Sequence, residues 1–158
     1  PFGLSIQYHN RQRLPESVER ATRATWVESL DDLISTSDFV SINCPLNDDS
    51  RSMIDARRIG LLKPDAYLIN ASRAEVYDEE ALIEALQAGR IGGAGLDVFA
   101  HEPAVDERLL SLSNVVIKPH MGSATFEGRE ATGDKVIANI RTWVDGHRPR
   151  DQVLEGLF

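Results

Sequence analysis

Short apolar segments alternate along the chain with longer segments in which apolar residues recur at helical spacing. The short segments are rich in β-branched and aromatic residues, which suits strands buried on both faces. This alternation is typical of βαβ units, in which helices join successive parallel strands. We therefore predict an α/β fold with a doubly wound parallel sheet. Its six predicted strands cover residues 4–8, 24–27, 39–43, 66–70, 95–98 and 115–118.

Polar and acidic residues mark where helices begin between these strands. Ser29 precedes one amphipathic segment, and the acidic residues 78–80 precede another. Acidic side chains are favourable there because the N-terminal end of a helix carries partial positive charge. We expect the second helix to end at Gly89, since glycine adopts the left-handed conformation at little cost. Apolar residues at helical spacing predict a third helix over 124–145.

Composition and charge exclude several classes of protein. The net charge of -8 and a pI near 5.0 leave no basic stripe, so nucleic acid is not an expected partner. No apolar segment approaches the roughly 18 residues that span a bilayer, and Pro1 to Tyr8 lack the features of a signal peptide. A single cysteine, Cys44, allows no internal disulfide and indicates a reducing cytoplasm. We expect no metal site, and the missing initiator methionine indicates an internal fragment.

Ligands of open parallel sheets bind beyond the carboxyl ends of the strands, so the residues after each strand are the candidate site. After the first strand come Asn10, Arg11 and Arg13. A dinucleotide-binding fold contacts the adenosine ribose there, and an acidic residue would favour NAD. Since none is present, Arg11 or Arg13 is a candidate partner for the 2′-phosphate of NADP. The alternative is a solvated basic turn.

Arg73 follows the fourth predicted strand and offers a planar fork of donors that suits a substrate carboxylate. Its alternative role is an ordinary surface arginine that pairs with Glu75 or Asp78.

The last two strands bring further candidate site residues to the same edge of the sheet. Asp97 lies near the end of the fifth strand, Glu102 precedes a proline, and His120 follows the sixth strand. Asp97 is a candidate acceptor for the nicotinamide carboxamide, and its alternative role is to cap the following loop. A lone histidine is usually structural, but an Arg, a Glu and a His at successive strand ends form an anion clamp, a histidine orienter and a proton donor. Reduction of a 2-oxoacid needs such a set, because hydride transfer to the carbonyl carbon leaves charge on oxygen that a proton must neutralise. Glu102 is expected to favour the charged form of His120.

Five ordered motifs resemble those of the D-isomer-specific 2-hydroxyacid dehydrogenases, over Pro1 to about Asp145. They are LINASR (68–73), DEEALIEAL (78–86), GAGLDV (93–98), EP (102–103) and PHMGSA (119–124). The resemblance implies a Rossmann-type fold with Arg73, Glu102 and His120 as catalytic residues. It places cofactor contacts at Asn10, Arg11, Arg13, Cys44, Pro45, Ser72, Asp97, His120 and Gly122. The turn after the first strand is most similar to NADPH-preferring glyoxylate and hydroxypyruvate reductases, with NAD as the alternative cofactor.

The sequence departs from this family in three respects. No glycine-rich phosphate loop precedes the first strand, so the sheet is expected to be truncated at its N-terminal βα unit. The substrate domain is also missing, which makes 1–124 a nucleotide-binding domain and 125–158 a helix and tail that return towards the missing domain. Third, Ala74 and Tyr77 stand where the family has glycine and a smaller apolar residue.

These observations support one main hypothesis and two others. The main hypothesis is an NADP-linked reductase of small 2-oxoacids, active within a longer protein, homodimeric, and inactive as these residues alone. The second is a non-catalytic nucleotide-sensing module of the corepressor type. The third is a stable oligomerisation unit.

Overall fold

All six predicted strands form in the computed structural model of the chain, which describes residues 3–152. Every hydrogen-bonded pair of strands is parallel, which confirms the predicted fold class. The strands are β1 (Ile6–Tyr8), β2 (Ala24–Trp26), β3 (Phe39–Ile42), β4 (Tyr67–Asn70), β5 (Gly93–Leu96) and β6 (Val115–Ile117).

The strands are divided between two sheets, whereas the sequence pattern predicted one. β1 pairs only with β2, and the other four strands follow in the order β3, β4, β5, β6. The first strand of a dinucleotide-binding sheet lies at its centre and carries the glycine-rich turn. Among the described residues no strand pairs with both β1 and β3, so the two sheets share no hydrogen-bonded strand.

Helices connect the strands, and several begin where the sequence predicts. They are α1 (Glu16–Thr22), α2 (Leu30–Thr36), α3 (Ala56–Ile59), α4 (Glu79–Gln87), α5 (Glu107–Ser111) and α6 (Phe126–Val144). Ser29 caps α2 by accepting a hydrogen bond from the Asp32 amide at 3.2 Å. Asp78 caps α4 by accepting one from the Ala81 amide at 3.0 Å. Both caps satisfy amide donors that have no partner inside a helix.

The C-terminal end of α4 confirms the role predicted for Gly89. Gly89 has a φ of 62°, in the left-handed region. The Arg90 amide then bonds back to the Ala85 carbonyl oxygen at 2.9 Å, which closes the last turn.

The hydrophobic core surrounds the middle of the four-stranded sheet. Leu68 of β4 and Leu96 of β5 are almost fully buried, as are Leu82 and Ile83 on α4. Strands β4 and β5 each have a neighbouring strand on both sides. The loops that follow these two strands are therefore anchored in the most buried part of the fold.

Glycines at the start of β5 allow it to pack closely against its neighbours. The strand begins at Gly93, two residues before its predicted start. A Cβ at Gly93 would meet the carbonyl oxygen of Asn114 and lie 2.8 Å from the Tyr67 ring. A Cβ at Gly92 would lie 2.7 Å from the carbonyl oxygen of Asp65. This glycine-rich segment therefore belongs to strand packing, and its first strand residue is Gly93 rather than Gly95.

The structure divides the chain into two compact units, Pro1–Pro119 and His120–Phe158. In the second unit, Thr125 caps α6 by accepting a hydrogen bond from the Gly128 amide at 3.0 Å. None of the residues of α6 is buried, although it carries Phe126, Ile140 and Trp143. The predicted boundary at residue 124 lies inside this unit. Within residues 3–152 we find no helix with the length and apolar character needed to cross a bilayer.

Candidate active site

A groove of about 580 Å³ lies where the loops after β3 and β4 meet. It is at the carboxyl ends of two adjacent parallel strands, the position at which open α/β sheets bind ligands. Four residues that the sequence singled out lie together in its lining. The lining residues are Asn43, Cys44, Pro45, Leu46, Ala71, Ser72 and Arg73.

Asn70 holds the loop that carries Arg73. This asparagine ends β4 and is fully buried, and its Nδ2 donates a hydrogen bond to the Arg73 carbonyl oxygen at 2.9 Å. Its Oδ1 accepts hydrogen bonds from both the amide and the hydroxyl of Ser72, each at 2.9 Å. A buried amide that makes these bonds fixes the backbone of the loop. Asn70 was not among the predicted site residues, and its only signal in the sequence was a polar residue at the end of an apolar strand.

Arg73 is exposed, and its guanidinium lies beside its own loop. Its Nη1 donates to the Ser72 carbonyl oxygen at 2.7 Å. Asp78, one of its alternative partners, instead accepts the capping bond of α4. Arg73 is therefore placed at the groove with donors that suit an anionic ligand.

Asp97 lies directly beyond β5, and it is buried. Its amide donates to the Asn70 carbonyl oxygen at 2.9 Å, so Asp97 lies beside the residue that holds the Arg73 loop. Farther along the same loop, Glu102 is exposed, and its Oε1 accepts a hydrogen bond from the Phe99 amide at 3.0 Å. The peptide bond between Glu102 and Pro103 is cis. Asp97 and Glu102 are thus on one loop at the same sheet edge as Arg73.

His120 is the first residue of the second unit, directly after Pro119. Its φ of 50° lies in the left-handed region, which is uncommon for a residue other than glycine. Such conformations persist where the surroundings enforce them and are concentrated at functional sites. Gly122 lies in the turn that follows, which the Ala124 amide closes by bonding to the Met121 carbonyl oxygen at 3.0 Å.

The two candidate arginines in the turn after β1 have different partners. Arg13 forms two 2.8 Å hydrogen bonds with Glu19, and its guanidinium lies 5.7 Å from the centre of the Trp26 ring. Arg13, followed by the Tyr8 hydroxyl, lowers the pKa of Glu19 to about 2. Arg11 instead forms a single exposed pair with Asp49 at 3.1 Å.

Asn10 is exposed in the same turn as Arg11, whereas Cys44 and Pro45 follow β3. Cys44 is half-buried with a free thiol, whose pKa is raised by burial. The Pro45 carbonyl oxygen accepts a hydrogen bond from the Ser50 hydroxyl at 2.7 Å, which closes the loop beneath the groove.

The described residues suit the parts of a nicotinamide dinucleotide other than its pyrophosphate. The groove offers an apolar wall beside polar groups, and the β1 turn offers an exposed guanidinium. A glycine-rich turn between a strand and a helix, which would bind the pyrophosphate, is not found within 3–152. No group of three His, Cys, Asp or Glu side chains in these residues is arranged to hold a metal ion.

A parallel α/β fold with a groove at the carboxyl edge of its strands is typical of nucleotide-binding domains. The family model for the D-isomer specific 2-hydroxyacid dehydrogenase, NAD binding domain, matches residues 1–122. The chain therefore belongs to the D-isomer specific 2-hydroxyacid dehydrogenase family, which confirms the resemblance seen in its motifs.

Individual relatives support the same assignment. Glyoxylate reductase of Thermococcus onnurineus (strain NA1) is 45% identical over 148 residues, which are 94% of this chain and 44% of that protein. The NADPH-dependent glyoxylate/hydroxypyruvate reductase of Sinorhizobium meliloti, solved with NADP and malonate, matches with a TM-score of 0.90 and 36% identity. That match covers 99% of this chain and 48% of the other.

A relative with the other cofactor has the same fold. D-lactate dehydrogenase of Lactobacillus jensenii, solved with NAD+, matches with a TM-score of 0.86 and 27% identity over 97% of this chain and 49% of the other. The chain thus spans about half the length of the relatives that it matches.

Proposed function

We propose that the protein carrying these residues reduces a small 2-oxoacid, of the glyoxylate or hydroxypyruvate type, with NADPH. The observation that carries the proposal is the loop held by Asn70, which places the exposed Arg73 at the groove beyond β4. A planar guanidinium binds a carboxylate through two parallel hydrogen bonds, and every 2-oxoacid has a carboxylate next to its reacting carbonyl.

Three residues divide the chemistry in this proposal. Arg73 binds the substrate carboxylate and polarises the adjacent carbonyl. Bound NADPH supplies the hydride for the carbonyl carbon. His120 gives a proton to the carbonyl oxygen, and the Glu102 carboxylate orients the imidazole. The product is the 2-hydroxyacid, and His120 recovers its proton from solvent.

The cofactor contacts are proposed on both sides of the groove. Asn10 and Arg11 would contact the adenosine ribose and its 2′-phosphate, and Asp97 would accept a hydrogen bond from the nicotinamide carboxamide. Arg13 is the weaker candidate because Glu19 occupies its guanidinium. The S. meliloti reductase, solved with NADP, is 36% identical to this chain and the D-lactate dehydrogenase solved with NAD+ is 27% identical, which supports NADP over NAD. The remaining proposed contacts are Cys44, Pro45, Ser72, His120 and Gly122.

Two further features complete the proposal. Small carboxylates are the expected ligands, since the S. meliloti reductase was solved with malonate in one structure and with citrate in another. We also propose a homodimer in a reducing compartment, the latter because Cys44 is a free cysteine.

Steady-state turnover tests the proposed function. The longest open reading frame that contains these residues would be assayed with glyoxylate and hydroxypyruvate, following the absorbance of NADPH and NADH. We expect reduction that is faster with NADPH and that collapses in His120→Ala, while NADPH binding persists. The chain of 158 residues, assayed beside it, should bind no substrate productively. A longer protein that binds NADPH without turning over any 2-oxoacid would instead favour a nucleotide-sensing module.

A further inference from the structure

Tyr77 is a buried tyrosine that the proposed reaction does not use. It follows the short 3-10 turn Ala74–Val76, and only 4% of its surface is exposed. Its hydroxyl lies 3.1 Å from Glu79 Oε2 and 3.3 Å from the Val98 carbonyl oxygen. Both neighbours are acceptors, so the hydroxyl is the donor in either bond. Tyr77 therefore connects the start of α4 to the loop after β5 through hydrogen bonds.

Glu79 holds the same loop from the first turn of α4. The oxygen atom that accepts from Tyr77 also accepts a hydrogen bond from the Ala100 amide at 3.0 Å. A charged carboxylate that accepts from a hydroxyl and an amide forms stronger hydrogen bonds than a neutral group. Tyr77 and Glu79 thus act as one unit on the loop.

Three successive backbone groups of this loop are each bound by a different side chain. The Val98 carbonyl oxygen lies at Tyr77, the Phe99 amide donates to Glu102, and the Ala100 amide donates to Glu79. Glu102 bonds to the middle group. The position of its carboxylate therefore depends on the backbone to which Tyr77 and Glu79 bind on either side.

The charges around Tyr77 keep its hydroxyl a donor. Burial raises the pKa of Tyr77, and the negative charges of Glu79 and Glu102 raise it further.

We infer that Tyr77 and Glu79 are positioning residues that fix the carboxylate of Glu102 for the reduction. This inference rests on the proposed function, in which Glu102 orients His120. Neither residue lies in the groove lining, so both act through the loop and not on the substrate. Tyr77 and Glu79, with their bonds to this loop, form a clamp, and Tyr77 is a position at which the sequence departs from its family.

Hydrogen exchange on the 158-residue chain tests the structural part of the inference without any turnover. The amides of Phe99 and Ala100 would be followed by NMR in Tyr77→Phe, Glu79→Ala and the unchanged chain. We expect several-fold faster exchange at both amides in both variants. The conservative Glu79→Gln, which keeps an acceptor, should restore part of the protection at Ala100. Unchanged exchange at Phe99 in Tyr77→Phe would overturn the inference.

Two matched controls separate the clamp from general destabilisation. Tyr67→Phe removes the hydroxyl of a tyrosine whose ring stacks on Phe39. Glu84→Gln removes a charge from the same helix as Glu79, where its partner Arg90 is 4.0 Å away. Neither control should change exchange at Phe99 or Ala100.

Kinetics on the active longer protein test the catalytic part. Tyr77→Phe should lower kcat several-fold and change the KM for NADPH much less, because the Asp97 amide is bound separately by Asn70 and the other proposed cofactor contacts lie outside this loop. Glu79→Gln should recover part of the kcat that Glu79→Ala loses, because it keeps an acceptor for the Ala100 amide. A variant with a lower Tm and an unchanged kcat would overturn the positioning role.

The two proposals fail in different ways. If the unchanged longer protein reduces no 2-oxoacid, the proposed function fails, and hydrogen exchange still decides whether Tyr77 and Glu79 hold Glu102. If it turns over and the variants match it in kcat, the inference fails alone.

Discussion

Two arginines only two positions apart in the turn after β1 have different surroundings. Arg13 is held by Glu19, which is buried, and lies over Trp26. Arg11 has one partner, Asp49, and both side chains are largely exposed, at 69% and 74%. An exposed ion pair contributes little to stability, so Arg11 can exchange Asp49 for a phosphate at small cost. The sequence alone treated the two arginines as equivalent.

Charge reversal at Arg11 should therefore change cofactor preference. In the longer protein, Arg11→Glu is expected to raise the KM for NADPH roughly tenfold, because about 1.4 kcal/mol of charge-assisted hydrogen bonding is lost. The KM for NADH should change little, and steady-state kinetics with both cofactors measures the difference. Arg20→Glu is the matched control, since Arg20 forms a similarly exposed pair with Glu16. An unchanged preference for NADPH would refute the assignment of Arg11.

Asn70 and Tyr77 show what residue patterns do not reveal. Arg73, Glu102 and His120 were selected because their chemistry is distinctive at strand ends, and that needs only local sequence. Asn70 and Tyr77 matter through contacts with the Arg73 and Val98 carbonyl oxygens, and the second contact joins positions far apart in the chain.

At the level of elements, helix ends were predicted better than the start of β5. Caps depend on residues adjacent in sequence, as with Asp78 and Gly89 around α4. The start of β5 depends on how closely Asn114 and Tyr67 approach it, which is decided by neighbouring strands.

The close approach at β5 predicts a destabilising substitution. Gly93→Ala should lower the free energy of unfolding by about 1–3 kcal/mol, since the added methyl group displaces backbone or ring atoms in a packed sheet. Thermal and urea unfolding of the 158-residue chain would measure the loss. Gly133→Ala is the control, because a Cβ there has open space, and it should not lower stability. Equal melting of Gly93→Ala and the unchanged chain would contradict the packing argument.

At the level of the whole molecule, the first unit contains two sheets of unequal burial. β4 and β5 lie between other strands, and Leu68 and Leu96 are almost fully buried. In the two-stranded sheet, by contrast, Ile6 is 51% exposed. A pair of strands alone has little independent stability.

This difference predicts an uneven stability within the first unit. Backbone amides of β4 and β5 should exchange at least roughly tenfold more slowly than those of β1 and β2, because local opening costs least where few apolar contacts are lost. Hydrogen exchange by NMR on the 158-residue chain checks this directly. Equal protection in the two sheets would mean that they unfold as one cooperative unit.

The sequence by itself determined the α/β class, the six strands, the helix caps and the family, because these depend on periodicity and on motifs read along the chain. It also selected Arg73, Asp97 and Glu102, since residues after parallel strands meet at one sheet edge. Only the tertiary structure decided that the strands form two sheets, that Asn70 holds the Arg73 loop, and that Arg13 pairs with Glu19. These depend on strand pairing and on which side chains meet in space, and local sequence specifies neither.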